Sequence, residues 1–388
     1  MTNNPMNNCV IGGSYDMPTL GHYHLIEKAA TIFDCVYVIL AENASKKAKN
    51  MFTEEERIAM LKDMAKSIDP SGEKVKVMVS PPNTYLANVA SQLGAKFLIR
   101  GIRDQIDFSY EQNIYRTNRK IQPSVEAIYL MPDDAYSLVS SSWVKGLIGY
   151  VGWIEIIKDC VTPFVLNELK KYYLKGKFME LTKTHPLNHT LRLDGESIWP
   201  EIVKGYGAKS YHGFTHLMSF LDALYTYVEK PDPLMIYAIF MHDIDPDEEK
   251  SIEIAQDNIR MVSHGMGEED IKEKIARLIL ATKHNTCEYK KEDEQIMASL
   301  DLLILASNID EYDKYVEGVF QEYFKASGKT KEEFMPLWYK GRSEFLQKML
   351  DRKVIFPWSK LSELELPAKI HMRNELAELK QKMECNFI

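Results

Sequence analysis

Five short apolar runs, Cys9–Ile11, Val36–Leu40, Val75–Val79, Phe97–Ile99 and Ala127–Leu130, are separated by stretches of helical period at about 21–33, 53–68, 85–93, 107–120 and 141–149. This alternation constrains the fold more than any other feature of the chain. Runs too short for helices, each followed by an amphipathic segment, predict a parallel sheet covered by helices on both faces, the α/β Rossmann-like arrangement. Thr53 followed by Glu56 has the spacing of a capping box and fixes the start of one of those helices. Ligands of such sheets sit at the carboxyl ends of the strands, so the informative residues are those just after each apolar run.

The first run leads into Gly13-Ser14-Tyr15-Asp16-Met17-Pro18-Thr19-Leu20-Gly21-His22. Glycines allow close backbone approach, and the free amides of a first helical turn point at an anion. Two hydroxyls, Ser14 and Thr19, and two imidazoles, His22 and His24, lie in or just after this turn. After the second run come Ser45-Lys46-Lys47, after the fourth Arg100-Gly101-Ile102-Arg103, and after the fifth Tyr136-Ser137-Leu138-Val139-Ser140-Ser141-Ser142. Taken singly, each reads as a solvated lysine pair, a surface guanidinium or a helix cap. Four strand ends that all offer phosphate ligands are explained together by a polyphosphate substrate.

The order GSYDMPTLGH, SKK, MFTEEER, IRGIRDQIDFSYE, NRK and YSLVSSSWVK, over about residues 7–175, closely resembles the bacterial phosphopantetheine adenylyltransferases of the nucleotidylyltransferase superfamily. The resemblance implies transfer of AMP from ATP, with Mg2+, to phosphopantetheine, giving dephospho-coenzyme A and pyrophosphate. It implies that His22 stabilises the α-phosphate and that Lys46 and Arg100 hold the attacking phosphate. Ser14 would bind the same phosphate, and Leu86 would contact the pantetheine arm. Ser14, Tyr15, His22, Gly101, Ile102, Arg103, Glu111, Tyr136, Ser137, Leu138, Val139, Ser140, Ser141 and Ser142 would bind ATP. A homo-oligomer, hexamer or trimer, is also implied. An attacking phosphate is already an anion, so alignment and charge stabilisation suffice and no nucleophilic side chain is needed. The chain departs from the family pattern where Tyr15-Asp16-Met17 stands for Phe-Asp-Pro, with Pro18 following, and where the segment between Lys47 and Met51 looks slightly extended.

With 388 residues, two domains are the natural expectation. Helical period over Pro163–Leu174 closes the first, period is lost from Lys175, and helical patterns then recur to the end. This gives a nucleotidylyltransferase domain at 1–175, a linker at 176–190 and an all-α domain at 191–388, with helices expected at about 197–206, 213–229, 233–242, 249–264, 268–283, 291–306, 309–326, 330–352 and 367–384. Net charge is −8, which argues against broad nucleic-acid binding. Five scattered cysteines without a CxxC pair read as reduced thiols of a cytoplasmic protein. The N-terminus lacks a signal-peptide pattern, and no apolar run is long enough to span a bilayer, so no membrane partner is expected.

In the second domain an almost wholly apolar stretch, Leu234–Met241, ends in His242-Asp243, and Asp301 interrupts another apolar helix. Such groups must be paired when buried. A hydrogen-bonded cap and a salt bridge would do, and a divalent cation would satisfy imidazole and carboxylate together. The set Tyr211-His212…His216, His242-Asp243, Ala281-Thr282-Lys283-His284, Asp301 and Gly341-Arg342 resembles the HD superfamily of metal-dependent phosphohydrolases over about 205–358. The resemblance implies His212, His242, Asp243 and Asp301 as ligands of Mn, Fe, Zn or Mg, with His216 and His284 as outer partners or phosphate-binding groups. The alternative is a nucleotidylyltransferase for a different phosphate acceptor, with the helical half a non-catalytic nucleotide-binding or regulatory module.

Overall fold

The structure is a computed structural model that describes residues 7–41, 50–136, 139–184, 191–207, 209–261, 267–284 and 289–385. The chain divides after Leu169 into two compact units.

The N-terminal unit carries β1 (Asn8–Gly13), α1 (Leu20–Ile32), β2 (Cys35–Leu40), α2 (Glu54–Ile68), β3 (Val75–Val79), α3 (Leu86–Gln92), β4 (Phe97–Gly101), α4 (Gln105–Ile121), β5 (Glu126–Leu130), α5 (Ser141–Leu147) and α6 (Trp153–Ile157). All strand neighbours are parallel, in the order β3-β2-β1-β4-β5. Adjacent residues of one strand serve opposite faces. Ile11, Val38 and Ile99 pack with Ile26, Ala29, Leu61 and Met64 from α1 and α2, whereas Val10, Ile39 and Leu98 pack with Ala87, Val89 and Ala90 of α3. Burial on both faces explains why these strands are continuous apolar runs rather than alternating ones. Thr53 caps α2 through the expected box with Glu56. The strand order reverses between β1 and β4, so the Gly-rich turn and Arg100-Gly101 flank the crevice where such sheets bind ligands.

A helix, α7 (Pro163–Thr184), follows and continues without a break through residues 176–184, where loss of period predicts linker. The other residues of that linker, 185–190, lie outside the described ones. Leu174, Phe178 and Leu181 are buried in the C-terminal unit, and Phe178 meets Phe240 edge-on at 4.9 Å.

The C-terminal unit is helical: Gly195–Tyr206, Phe214–Tyr227, Pro233–Met241, Glu248–Asp257, Glu268–Leu280, Glu292–Asp301, Ile309–Ser327, Lys331–Leu350 and Glu365–Cys385. Among the described residues its only ladder is the two-residue antiparallel pairing of Leu191–Arg192 with Arg260–Met261. The helix expected over 249–264 ends at Asp257. Asn258 turns its side-chain amide onto the Ile254 carbonyl at 3.0 Å and Glu201 at 2.9 Å, a local bond that competes with helix continuation. Pro233–Met241 is apolar all round because it is buried all round, from Met235 to Met241. No described helix is long and apolar enough to cross a membrane.

Candidate functional site

In the N-terminal unit the turn after β1 is gripped from several sides. Arg57 of α2 donates to the Ser14 carbonyl at 2.8 Å, and the Ser141 hydroxyl donates to the Met17 carbonyl at 2.8 Å. Tyr15 donates its hydroxyl to the Ile11 carbonyl at 3.3 Å. A Cβ on Gly12 would come within 2.3 Å of the Leu86 side chain, so Leu86 lies directly on the end of β1. A Cβ on Gly21 would lie 3.7 Å from the Val139 carbonyl and 3.8 Å from that of Tyr136, which puts the serine-rich segment beside the start of α1.

His22 sits in the first turn of α1. The Thr19 amide donates to its Nδ1 at 3.0 Å, and the Thr19 hydroxyl lies 3.0 Å from the same nitrogen. A backbone N–H can only donate, so Nδ1 carries the lone pair and Nε2 the proton. Burial, and then the positive charge of Arg103, push the imidazole down to about 4. His22 is therefore a neutral donor at pH 7, the form suited to a phosphate that gains charge. In the free protein, the His22 ring resonances should titrate near pH 4 by NMR, and a midpoint near the ordinary histidine value of about 6.5 would contradict this setting.

The structure joins two residues that the sequence treats as separate ligands. Arg100 places Nε and Nη2 on the two oxygens of Glu111, at 2.8 and 2.6 Å, and Nη1 on the Gly12 carbonyl at 3.0 Å. The last residues of β4 face the second turn of α4, so guanidinium and buried carboxylate meet as a bidentate pair. Arg103 is likewise paired with Asp107, Nε to Oδ2 at 2.9 Å. Tyr136 stacks on His24, ring centroids 4.1 Å apart. The Ile102 amide donates to the Leu130 carbonyl at 3.1 Å, and Ser140 caps α5. Ser14, His22, Leu86, Arg100, Glu111, Tyr136, Val139 and Ser141 thus surround one sheet end. Lys46, Ser137 and Leu138 lie outside the described residues.

Tyr15 and Met17 have φ of +42° and +78°, left-handed values that non-glycine residues rarely take. Proline is locked near −65° and cannot adopt the second. Met17→Pro, which restores the Phe-Asp-Pro pattern of the resembling family at its third residue, should therefore destabilise the full chain by more than about 1 kcal/mol, read from its urea midpoint. An unchanged midpoint would refute the turn geometry.

In the C-terminal unit, His216, His242 and Asp243 present ligand atoms all within 4.8 Å of one another. The two Nε2 atoms are 3.2 Å apart, and Asp301 Oδ1 lies 3.0 Å from that of His216 and 3.6 Å from that of His242. His242 donates Nδ1–H to the Ile239 carbonyl at 2.7 Å, which aims Nε2 at the cluster. The Tyr206 hydroxyl accepts from the Asp243 amide at 3.2 Å, and His284 holds the second oxygen of Asp301 at 2.7 Å. Burial disfavours charge on His242, yet Asp243 and Asp301 outweigh it and carry the ring well above the usual histidine range. Facing ring nitrogens between two carboxylates form a donor set that fits a divalent cation.

The structure places two histidines otherwise than expected. His216, expected as an outer partner, is in the cluster. His212, expected as a ligand, turns Nδ1 to Glu322 at 3.0 Å. Glu322 also accepts the amides of Tyr211 at 3.0 Å and His212 at 3.2 Å. The start of the helix decides between them: His216 is in the first turn of Phe214–Tyr227 and buried, while His212 precedes that helix. Glu322, 110 residues from His212, carries no spacing signal and escapes sequence reading.

A model of the cytidylyltransferase-like family matches residues 10–146. A phosphopantetheine adenylyltransferase of Chromobacterium violaceum is 33% identical over 168 residues, 43% of this chain and 98% of that protein. Among solved structures, nicotinic acid mononucleotide adenylyltransferase of Plasmodium falciparum, complexed with NaAD, is 16% identical over 44% of this chain and 97% of its own, with a TM-score of 0.33. A lipopolysaccharide core biosynthesis protein from Thermoplasma volcanium GSS1 is 17% identical over 33% of this chain and 99% of its own, with a TM-score of 0.26. Identity of 33% along nearly the whole of the Chromobacterium protein shows that this chain, through its N-terminal part, belongs to the phosphopantetheine adenylyltransferase family.

Proposed function

We propose that the N-terminal unit transfers the adenylyl group of ATP, bound with Mg2+, to the phosphate of phosphopantetheine, giving dephospho-coenzyme A and pyrophosphate. The observation that carries this reading is the 33% identity across 98% of a phosphopantetheine adenylyltransferase. The site chemistry supports it. The acceptor phosphate needs no base, so the protein has to align two anions and stabilise the charge that develops between them. His22, fixed by Thr19 with its proton on Nε2, donates to the α-phosphate. Lys46 and Arg100 hold the acceptor phosphate, Arg100 from a position set by Glu111 and Gly12, and Leu86 lies along the pantetheine arm. Tyr136, Val139 and the serines take the nucleotide. With ATP and a panel of phosphate acceptors, pyrophosphate release should be fastest with phosphopantetheine. Release no faster than with other acceptors would refute the substrate, and the altered Tyr15-Asp16-Met17 turn would then mark an adenylyltransferase for another acceptor.

We infer that the C-terminal unit is a metal-dependent phosphohydrolase built on His216, His242, Asp243 and Asp301. The cation, when bound, supplies a water of lowered pKa. Tyr206 and the Ile239 carbonyl orient the His242-Asp243 pair, His284 orients Asp301, and Glu322 fixes His212 beside the cluster. The convergence of two imidazoles and two carboxylates on one point supports this reading.

A further inference from the structure

We propose that Asp16 is a positioning residue for the transfer: its one buried carboxylate ties the entry to α2 and the helix α5 to the turn that carries Ser14. The inference rests on the adenylyl-transfer reading of this unit. Asp16 is 7% exposed. Its Oδ1 accepts the amides of Met51 and Phe52, each at 3.0 Å, and its Oδ2 accepts Met51 again at 3.0 Å and the ammonium of Lys145. Met51 and Phe52 directly precede the cap of α2, and Arg57 of α2 holds the carbonyl of Ser14, the residue assigned to the acceptor phosphate, so on that reading they belong to the acceptor side. Lys145 is on α5, whose first residue, Ser141, is bonded to the Met17 carbonyl on the nucleotide side.

The backbone gives a second line of argument. Tyr15 and Met17, on either side of Asp16, are both left-handed. Such conformations persist only where the surroundings over-determine them, and they gather where a site needs a fixed shape. Here the fixing bonds are those of Arg57 to Ser14, Ser141 to Met17, and the three groups on Asp16. Burial works to raise the Asp16 carboxyl, but Lys145 and the two amides together hold it below its ordinary range, so it stays an anion and keeps Lys145. Removing that anion leaves the nucleotide and acceptor sides each intact but no longer held in one register. In-line transfer is sensitive to such displacement, whereas binding of either substrate alone is not.

The test uses the full-length protein and compares wild type, Asp16→Asn and Lys145→Met. Pyrophosphate release gives kcat and KM, calorimetry with a non-hydrolysable ATP analogue gives nucleotide affinity, and amide exchange reports on Met51 and Phe52. Asp16→Asn should lower kcat at least tenfold while ATP-analogue affinity stays within about threefold, and exchange at Met51 and Phe52 should rise. Lys145→Met, which leaves the amide bonds in place, should show the same split in kcat without the rise in exchange. A kcat within twofold of wild type in Asp16→Asn, or a loss of nucleotide affinity in step with kcat, overturns the proposal. If Asp16→Asn does not fold, Lys145→Met decides by the same kcat criterion. If wild type transfers to no acceptor, the substrate reading fails separately, and unchanged amide exchange in Asp16→Asn then sinks the clamp.

Discussion

His22→Ala should turn over ATP and phosphopantetheine about a hundred to a thousand times more slowly than wild type, with little change in KM for either. That range is the loss seen when one preorganised donor to a developing charge is removed. The reasons to place His22 in this class are local. Thr19 occupies Nδ1 from its amide and its hydroxyl, both at 3.0 Å, so the ring cannot rotate its proton away from the crevice. The ring stays uncharged at neutral pH, so it contributes little to binding ground-state ATP and acts when the α-phosphate gains negative charge. His22→Asn, which can still donate, should recover part of the loss. A parallel fall in nucleotide affinity would show that His22 holds the ground state instead, and a fall below tenfold would remove it from the chemistry.

The second large effect concerns metal. The purified full chain should carry about one equivalent of a divalent metal in its C-terminal unit, and His242→Ala should lose it. The informative comparison is between the two histidines spaced four apart. His216→Ala should lose the metal as His242→Ala does, because its Nε2 lies 3.2 Å from that of His242. His212→Ala should keep it, because His212 is not in the group of His216, His242 and Asp243 whose ligand atoms lie within 4.8 Å of one another. Elemental analysis of the three variants decides the matter without any substrate. Loss in His212→Ala with retention in His216→Ala would restore the arrangement expected from sequence and contradict the geometry. A chelator should also lower the thermal midpoint of the C-terminal unit, since a bound ion stabilises the native state by mass action, about 2.7 kcal/mol at a hundredfold excess over Kd.

Much of the N-terminal fold is legible in the sequence because each strand is a short apolar run and each helix has its period. Thr53 with Glu56 marks the cap that the structure shows. The site is legible in part. Glycines, histidine and serines fall after strands, and a parallel sheet brings strand ends together whatever the sequence between them. What the sequence hides is the pairing of charges. Nothing in the spacing says that Arg100 and Glu111 neutralise each other, or that Asp16 and Lys145, 129 residues apart, meet. The left-handed turn is hidden as well, since tyrosine and methionine are not residues that announce positive φ. The different placement of His212 and His216 has a plain cause: both look alike in a four-residue spacing, and the start of a helix at Phe214 separates them.

The unbroken course of α7 dictates how the protein can be dissected. A C-terminal half expressed from residue 191 would lack Leu174, Phe178 and Leu181, and with them the aromatic cover that Phe178 gives Phe240, two residues before His242. An apolar segment would be stripped bare next to the His242-Asp243 pair, and such a fragment should aggregate. Gene truncations meant to isolate the helical half must begin at or before Pro163, so that the whole helix travels with it.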